Sequence, residues 1–310
     1  MVVVYSCNDF YIYQTTVSMV SLIKHNSDVK IYLISDHISL DNIKLMECTL
    51  EKYNQKVKVI CADNVLNNLY LDQKDRHPRT IYTKLFLDSI IEEPKLLYLD
   101  SDTIVTGSLE KLYQRSMDNE IIAGVLMPYS KKIKNDSNLN FNDKYICDGV
   151  VLFNMRRWKA EKISEACRNY INKYNGNPPM LSEGTLNYVC RHGIGILKPE
   201  FNVMPSMLMY SGDQIRRLFK STVYYTDREL EVIRTKYIII HFMNELYERP
   251  WFKPSRHPLR EAYIEIEKEA FGGKTIKPSA ISKHTLLTAW LAEHLPFTIF
   301  LKLYHLKNGM

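Results

Sequence analysis

Short β-branched and aliphatic runs alternate with longer stretches of helical periodicity along the first hundred residues, and that rhythm predicts an architecture on its own. Residues 2–5 read as a strand, followed by the turn-like Ser6-Cys7-Asn8-Asp9. Residues 13–25 carry apolar side chains at Val17, Val20, Leu22 and Ile23 and stop at Asn26-Ser27-Asp28, as a helix does. A second strand over 29–35, a second helix over 40–53 and an alternating third strand over 56–61 follow. This β-α-β-α-β order predicts an α/β fold with a parallel, right-handed sheet of the nucleotide-binding type.

The pattern then becomes more varied. Residues 71–79 are polar and contain a proline, so they are expected to form a loop over the site. Residues 80–91 read as a helix that sets Lys84 one turn from Asp88, and 96–99 as a buried strand. Ser108 is a plausible cap for a helix over 109–114, and 121–126 reads as another strand. The polar, Asn- and Lys-rich stretch 129–144 is expected to be either disordered or a substrate-covering lid. A strand at 150–153, helices after Asn154, over 164–175 and over 186–191, and a last strong strand at 237–240 complete the main body. From Pro254 the chain reads as loop and helix, and a new segment begins after Gly272-Gly273.

Two strands end on groups that do chemistry. The strand over 96–99 stops at Asp100 and Asp102, and alternation puts both carboxylates on one side of an extended backbone. Ligands of open α/β sheets gather at the carboxyl ends of the strands. Two hard oxygen donors there suit Mg²⁺ or Mn²⁺, which in turn attracts a diphosphate. The strand over 237–240 stops in the same way at His241, so all three side chains are expected on the same edge of one sheet, and imidazole is an acceptable third ligand for Mn²⁺. Eight residues beyond, Arg249 precedes Pro250-Trp251 and offers a guanidinium suited to phosphate.

Composition narrows the class. Apolar residues make up 45% and charged residues 25%, the balance of an ordinary soluble globular protein. The six cysteines form no Cys-x-x-Cys, which points to reduced thiols and a cytoplasmic setting. The amino terminus has no signal-peptide pattern, and no window reaches the length of a membrane span. The net charge is +6, but residues 274–310 hold five Lys and one Glu, so the rest is nearly balanced at 36 basic against 34 acidic residues. That distribution argues against nucleic acid as a partner.

In order and spacing, VVVYSCNDFY, TIYTKLFL, KLLYLDSDTIVTGSLEKLY, DGVVLFNMRRWK, EGTLNYV with FNVMP, and IIHFMNELYERPW with HPLREAY resemble the family 8 retaining glycosyltransferases, which include glycogenin and bacterial lipopolysaccharide galactosyl- and glucosyltransferases. The resemblance covers residues 1–265 and implies a GT-A fold, mostly parallel at its centre and flanked by helices. It also implies a nucleotide-sugar donor, usually UDP-glucose or UDP-galactose, and a Mn²⁺ (or Mg²⁺) ion held by Asp100, Asp102 and His241. By motif position Ser6, Cys7 and Asn8 would hold the uracil, while Lys84 would face the donor where the family usually has Arg. Arg249 would meet the diphosphate where the family usually has Lys, and Ser101 and Asn244 fall within the same donor-binding motifs. Glu183, and after it Asp148, are the carboxylates expected beside the donor sugar, where an oxocarbenium-like centre develops. The chain departs from the family pattern at Asn8, Phe10, Cys147-Asp148 and Asn244, which leaves base and sugar identity open.

The last segment, 274–310, forms a basic helical tail. Its stretch 286–306 is apolar but broken by Pro296, and Trp290, Phe297, Phe300 and Tyr304 beside the lysines suggest an interfacial helix on the inner face of an anionic membrane. The alternatives are packing on the main domain or on a second copy in a homo-oligomer. Together these features predict a hexosyltransferase acting on an oligosaccharide, lipid-linked or glycoprotein acceptor. Two competing readings are a catalytically degenerate nucleotide-sugar-binding protein and a nucleotidyltransferase, and the second lacks its expected Gly-rich basic phosphate loop.

Overall fold

The fold is built around nine strands: β1 Val2–Asn8, β2 Lys30–Asp36, β3 Val57–Cys61, β4 Lys95–Leu99, β5 Thr103–Val105, β6 Ile122–Leu126, β7 Ile146–Asn154, β8 Ile194–Ile196 and β9 Ile239–His241. They come from a computed structural model that describes residues 1–72, 78–274, 277–278 and 283–308. Seven of them make the central sheet in the order β3-β2-β1-β4-β7-β6-β8, while β5 and β9 form a separate two-stranded ladder. Within the central sheet pairing is parallel except around β7, which runs antiparallel to both β4 and β6, and the β5–β9 ladder is antiparallel.

The central strands read as near-continuous apolar runs because both faces of the sheet are covered. Alternation then sorts their side chains: Val3, Tyr5 and Cys7 of β1 join the core beneath the helix Ile12–His25, while Val2 and Val4 join the core on the opposite face with Leu85 and Trp158. At about 1.5–3 kcal/mol for each fully buried large aliphatic side chain, these two layers hold the sheet edge that carries the site.

Several local expectations change. Residues 80–91 form two 3₁₀ segments, Arg79–Leu85 and Leu87–Ser89, rather than one α-helix. Side chains in such a turn repeat every three residues, and the Thr83 hydroxyl donates back to the Thr80 carbonyl at 2.7 Å, which tightens it. Lys84 therefore does not face Asp88, whose carboxylate accepts from Ser164 instead. The insertion 129–144 is ordered: a helix at Lys131–Asp136 is capped by Ser130, and buried Lys134 donates to the carbonyls of Phe141 and Asp143 at 3.0 and 2.6 Å. β7 begins at Ile146, four residues before the run that betrayed it, because Asp148 and Gly149 interrupt the apolar pattern. The helix expected over 186–191 is Leu181–Val189, so Glu183 lies in its first turn. Of the loop expected over 71–79, residues 73–77 fall outside the described residues.

After Pro296 divides them, the helices Lys283–His294 and Phe297–Lys307 lie along the main body. Phe300 is buried, Tyr210 stacks on it at 6.0 Å, and the His305 ring Nε2 lies 2.9 Å from the Leu218 carbonyl. Leu287, Trp290, Ile299, Leu303 and Leu306 stay exposed. No helix among the described residues is long and apolar enough to cross a membrane.

Candidate active site

The two aspartates do not lie on an extended strand. Residues 100–102 turn between β4 and β5, and the Asp100 amide is pinned to the Gly149 carbonyl of β7 at 2.8 Å. Nor is His241 on the central sheet. It sits on β9, where it pairs with Thr103 of β5, immediately after Asp102. The Phe242 amide donates to the Asp102 carbonyl at 2.8 Å and the His241 amide to the Val203 carbonyl at 3.0 Å. A short ladder therefore brings 102 and 241 together across 139 positions of sequence. One ligand atom from each of Asp100, Asp102 and His241 lies within 4.8 Å of the other two.

Gly149 makes the convergence possible. A Cβ there would lie 2.3 Å from His241 Cε1 and 2.8 Å from Asp100 Oδ2, so only a residue without a side chain lets these ligands approach. Its signal in the sequence is a glycine inside an apolar strand, which marks close approach of another group.

Beside the carboxylates opens a cavity of about 420 Å³ lined by Ser6, Cys7, Asn8, Tyr11, Asp100, Ser101, Asp102, Asn244 and Arg249, among others. Two of these hydroxyls are committed to the scaffold. Ser6 donates to the Thr80 carbonyl at 3.2 Å, and Ser101 donates to the Ser6 carbonyl at 3.3 Å while accepting from Thr15 at 2.9 Å. Asn8 uses its side-chain oxygen to accept from the Phe10 amide at 3.2 Å. Burial pushes the Cys7 thiol up to about 12, so it is a neutral wall. Arg249 reaches Asp102 Oδ2 through Nε and Nη2 at 3.3 and 3.2 Å and donates from Nη1 to the Tyr11 hydroxyl at 3.0 Å. Tyr11 was not singled out from sequence, although it closes the same motif as Asn8. Its place at the end of that motif was the available signal.

Lys84, Asp148 and Glu183 continue the site away from that cavity. The Lys84 ammonium, 2% exposed, lies 3.3 Å from Asp100 Oδ1, 3.0 Å from Asp148 Oδ2 and 2.9 Å from the Asp148 carbonyl. Ser182 also donates to Asp148 Oδ2 at 2.8 Å. Glu183 Oε2 accepts from the Asp148 amide at 3.2 Å, and the Tyr129 hydroxyl bonds to the same carboxyl group. The Leu181–Val189 helix is fixed at its start by two residues with left-handed backbone, Met180 at φ 56° and Leu181 at φ 53°. Gly184 fits against the Pro179 carbonyl, where a Cβ would come within 2.0 Å.

Charge is closely balanced here. Burial works against the charge on Lys84, but Asp100 and Asp148 outweigh it and hold the ammonium well above its usual range. Burial would raise Asp102, yet His241 and Arg249 dominate and keep it ionised, well below the usual carboxylate range. Asp100 is raised by burial and by its two acidic neighbours, with Lys84 opposing. His241 loses by burial and gains more from Asp102, so its ring holds a proton above the usual range. Glu183 is pushed up to about 8, first by burial and then by Asp148. Two carboxylates and an imidazole, one of the carboxylates firmly ionised, are a donor set that fits a divalent cation with oxygen and nitrogen preferences.

Known proteins share this arrangement of elements. The sequence profile described as glycosyl transferase family 8 matches residues 2–254. Glycosyltransferase GlyE of Streptococcus pneumoniae is 25% identical over 266 residues, 85% of this chain and 60% of GlyE, so the chain spans less than two thirds of that relative. The lipopolysaccharide 1,2-glucosyltransferase of Escherichia coli is 27% identical over 156 residues, 48% of this chain and 46% of that protein. The galactosyltransferase LgtC, solved with donor and acceptor sugar analogues, superposes with a TM-score of 0.71 at 17% identity, covering 93% of this chain and all of LgtC. That likeness gives the GT-A fold, a mostly parallel central sheet flanked by helices. The chain belongs to glycosyl transferase family 8.

Proposed function

We propose that the protein is a metal-dependent, retaining hexosyltransferase that moves glucose or galactose from a UDP-sugar to a glycan acceptor of a cell-surface polysaccharide, lipopolysaccharide or glycoprotein. The observation that carries this reading is the meeting of Asp100, Asp102 and His241 beside a cavity that also holds Arg249. In this reading those three residues hold Mn²⁺ or Mg²⁺. The bound ion supplies Lewis-acid stabilisation of the charge left on the departing diphosphate. Arg249, braced between the rings of Tyr11 and Trp251 at 5.7 Å from each, adds a fixed positive charge for the same oxygens. Lys84 holds Asp100 and Asp148 in place. Asp148 and Glu183 serve the sugar side, where an ionised carboxylate stabilises positive charge at the anomeric carbon or attacks it, so Glu183, which holds its proton up to about 8, does so only once deprotonated.

The reading is tested by incubating UDP-glucose, UDP-galactose and other nucleotide-sugars with the protein in Mn²⁺ and in excess chelator. Metal-dependent release of UDP supports it. Binding without any turnover favours the degenerate nucleotide-sugar-binding protein instead. The residue division we propose is a catalytic domain over 1–265 and a basic accessory segment over 274–310. The exposed row Leu287, Trp290, Ile299, Leu303 and Leu306 supports peripheral contact of that segment with an anionic membrane, which suits a lipid-linked acceptor. A second copy covering the same row is the competing occupant, and it predicts a mass that rises with concentration.

A further inference from the structure

The imidazole of His241 has two nitrogens, and only one faces the carboxylates. Nε2 lies 3.1 Å from Asp102 Oδ1 and 4.0 Å from Asp100 Oδ2. Nδ1 points the other way, 3.0 Å from the side-chain oxygen of Asn202. We infer that Asn202 is a positioning residue for the cation site: its Oδ1 accepts the Nδ1–H of His241 and so aims Nε2, whose proton a bound cation would displace, at the space shared with Asp100 and Asp102. The inference rests on the metal-dependent reading above.

Three observations single out Asn202. Its side chain is fully buried, and its Nδ2 donor finds no partner among the described residues. A buried amide that leaves one donor unsatisfied carries a cost of about 1–3 kcal/mol, so packing alone does not explain an asparagine here. The bond its oxygen makes is to the imidazole. The backbone on either side of the pair is rigidly registered, because the Val203 amide donates to Ile239 at 2.8 Å and the His241 amide donates to Val203 at 3.0 Å. The amide and the ring are therefore held at hydrogen-bond distance by the bridge between Val203 and Ile240, separate from the β5–β9 ladder that delivers His241 to Asp102.

Cys147 is the alternative partner for Nδ1. Its sulfur lies 3.8 Å away, and a thiol sulfur is a weak acceptor beside an amide oxygen at 3.0 Å. It also sits beside Nδ1, on the side of the ring away from Asp102, which excludes it as a direct ligand in this arrangement. Hydrogen bonds behind a ligating histidine fix its tautomer and ring angle, and losing one typically weakens metal affinity by roughly 10–100-fold.

Mn²⁺ titration of the substrate-free protein, read by the electron paramagnetic resonance of free Mn²⁺, tests the assignment. Asn202→Leu, close in volume but without an acceptor, is expected to weaken binding roughly 10–100-fold. Asn202→Asp keeps an oxygen facing Nδ1, loses the unpartnered donor and puts a negative charge behind the ring, which strengthens the Nδ1–H bond, so it is expected to match or exceed the unsubstituted protein. Equal affinity in Asn202→Leu overturns the assignment alone, whereas no Mn²⁺ binding by the unsubstituted protein overturns the metal-dependent reading with it. Should Asn202→Leu fail to fold, long-range ¹H–¹⁵N correlation of the unsubstituted protein with Mg²⁺ decides. A His241 ring protonated at Nδ1 supports the inference, and one protonated at Nε2 overturns it.

Discussion

Replacing Gly149 with alanine adds a single methyl group at the point where β7 passes the candidate cation site. The added Cβ would sit 2.3 Å from His241 Cε1, 2.8 Å from Asp100 Oδ2 and 3.0 Å from His241 Nδ1. Carbon atoms in contact prefer about 3.5–4.0 Å, so the ring must retreat by more than about 1 Å. It has little freedom to do so. β9 is hydrogen-bonded to Val203 and paired with β5, and the imidazole is held between Asn202 and Asp102. Overpacking of this kind costs about 1–3 kcal/mol of stability. A displacement of about 1 Å at a catalytic constellation is worth on the order of 100-fold in rate. Thermal unfolding and Mn²⁺-dependent donor hydrolysis of Gly149→Ala measure both effects. A variant that keeps full Mn²⁺ affinity and full turnover refutes the claim that the two ligands are held at this spacing by the glycine.

Three other predictions follow from the same site and from the tail. Lys84→Met leaves Asp100 and Asp148 without their cation; it is expected to lower stability by about 3 kcal/mol in denaturant unfolding, the low end for a broken buried pair because Asp100 still reaches solvent. Glu183 holds its proton in the folded state up to about 8, against an ordinary value near 4.5. The folded protein therefore binds more protons than the unfolded chain between those values, and this group's contribution to stability declines as pH rises from about 4.5 to about 8. In Glu183→Gln that part of the decline in unfolding free energy disappears, and Glu183→Ala lowers turnover far more than donor affinity. Substituting Leu303 and Trp290 with serine is expected to reduce sedimentation with anionic vesicles while leaving Mn²⁺-dependent hydrolysis unchanged; undiminished vesicle binding removes the tail from the membrane reading.

The strands of the first half were legible because each is a short aliphatic run bounded by turn residues, and buried parallel strands need little else to be recognised. Asp100, Asp102 and His241 were legible for a related reason: each follows such a run, and strand ends are where open sheets present ligands. How they meet was not legible. The β5–β9 ladder has three residues per strand, too short for any periodicity, and its partners are set by tertiary packing rather than local pattern. Lys84 was assigned to the donor side by motif position, but the 3₁₀ geometry that aims it at Asp100 and Asp148 depends on the Thr83–Thr80 bond. Gly149 and Asn202 stayed hidden because their significance lies in what surrounds them. A glycine in a strand and an asparagine after a phenylalanine acquire meaning only when the imidazole is seen between them.

The central claim is that Asp100, Asp102 and His241 bind one divalent cation on which the donor depends. Calorimetric titration of UDP into the protein, in Mn²⁺ and again in excess chelator, with Asp102→Asn alongside, tests it most directly. The account predicts strong binding by the unsubstituted protein in Mn²⁺ only, and loss of that metal-dependent increment in Asp102→Asn. Equal UDP affinity with and without Mn²⁺, or an Asp102→Asn variant that retains the increment, contradicts it.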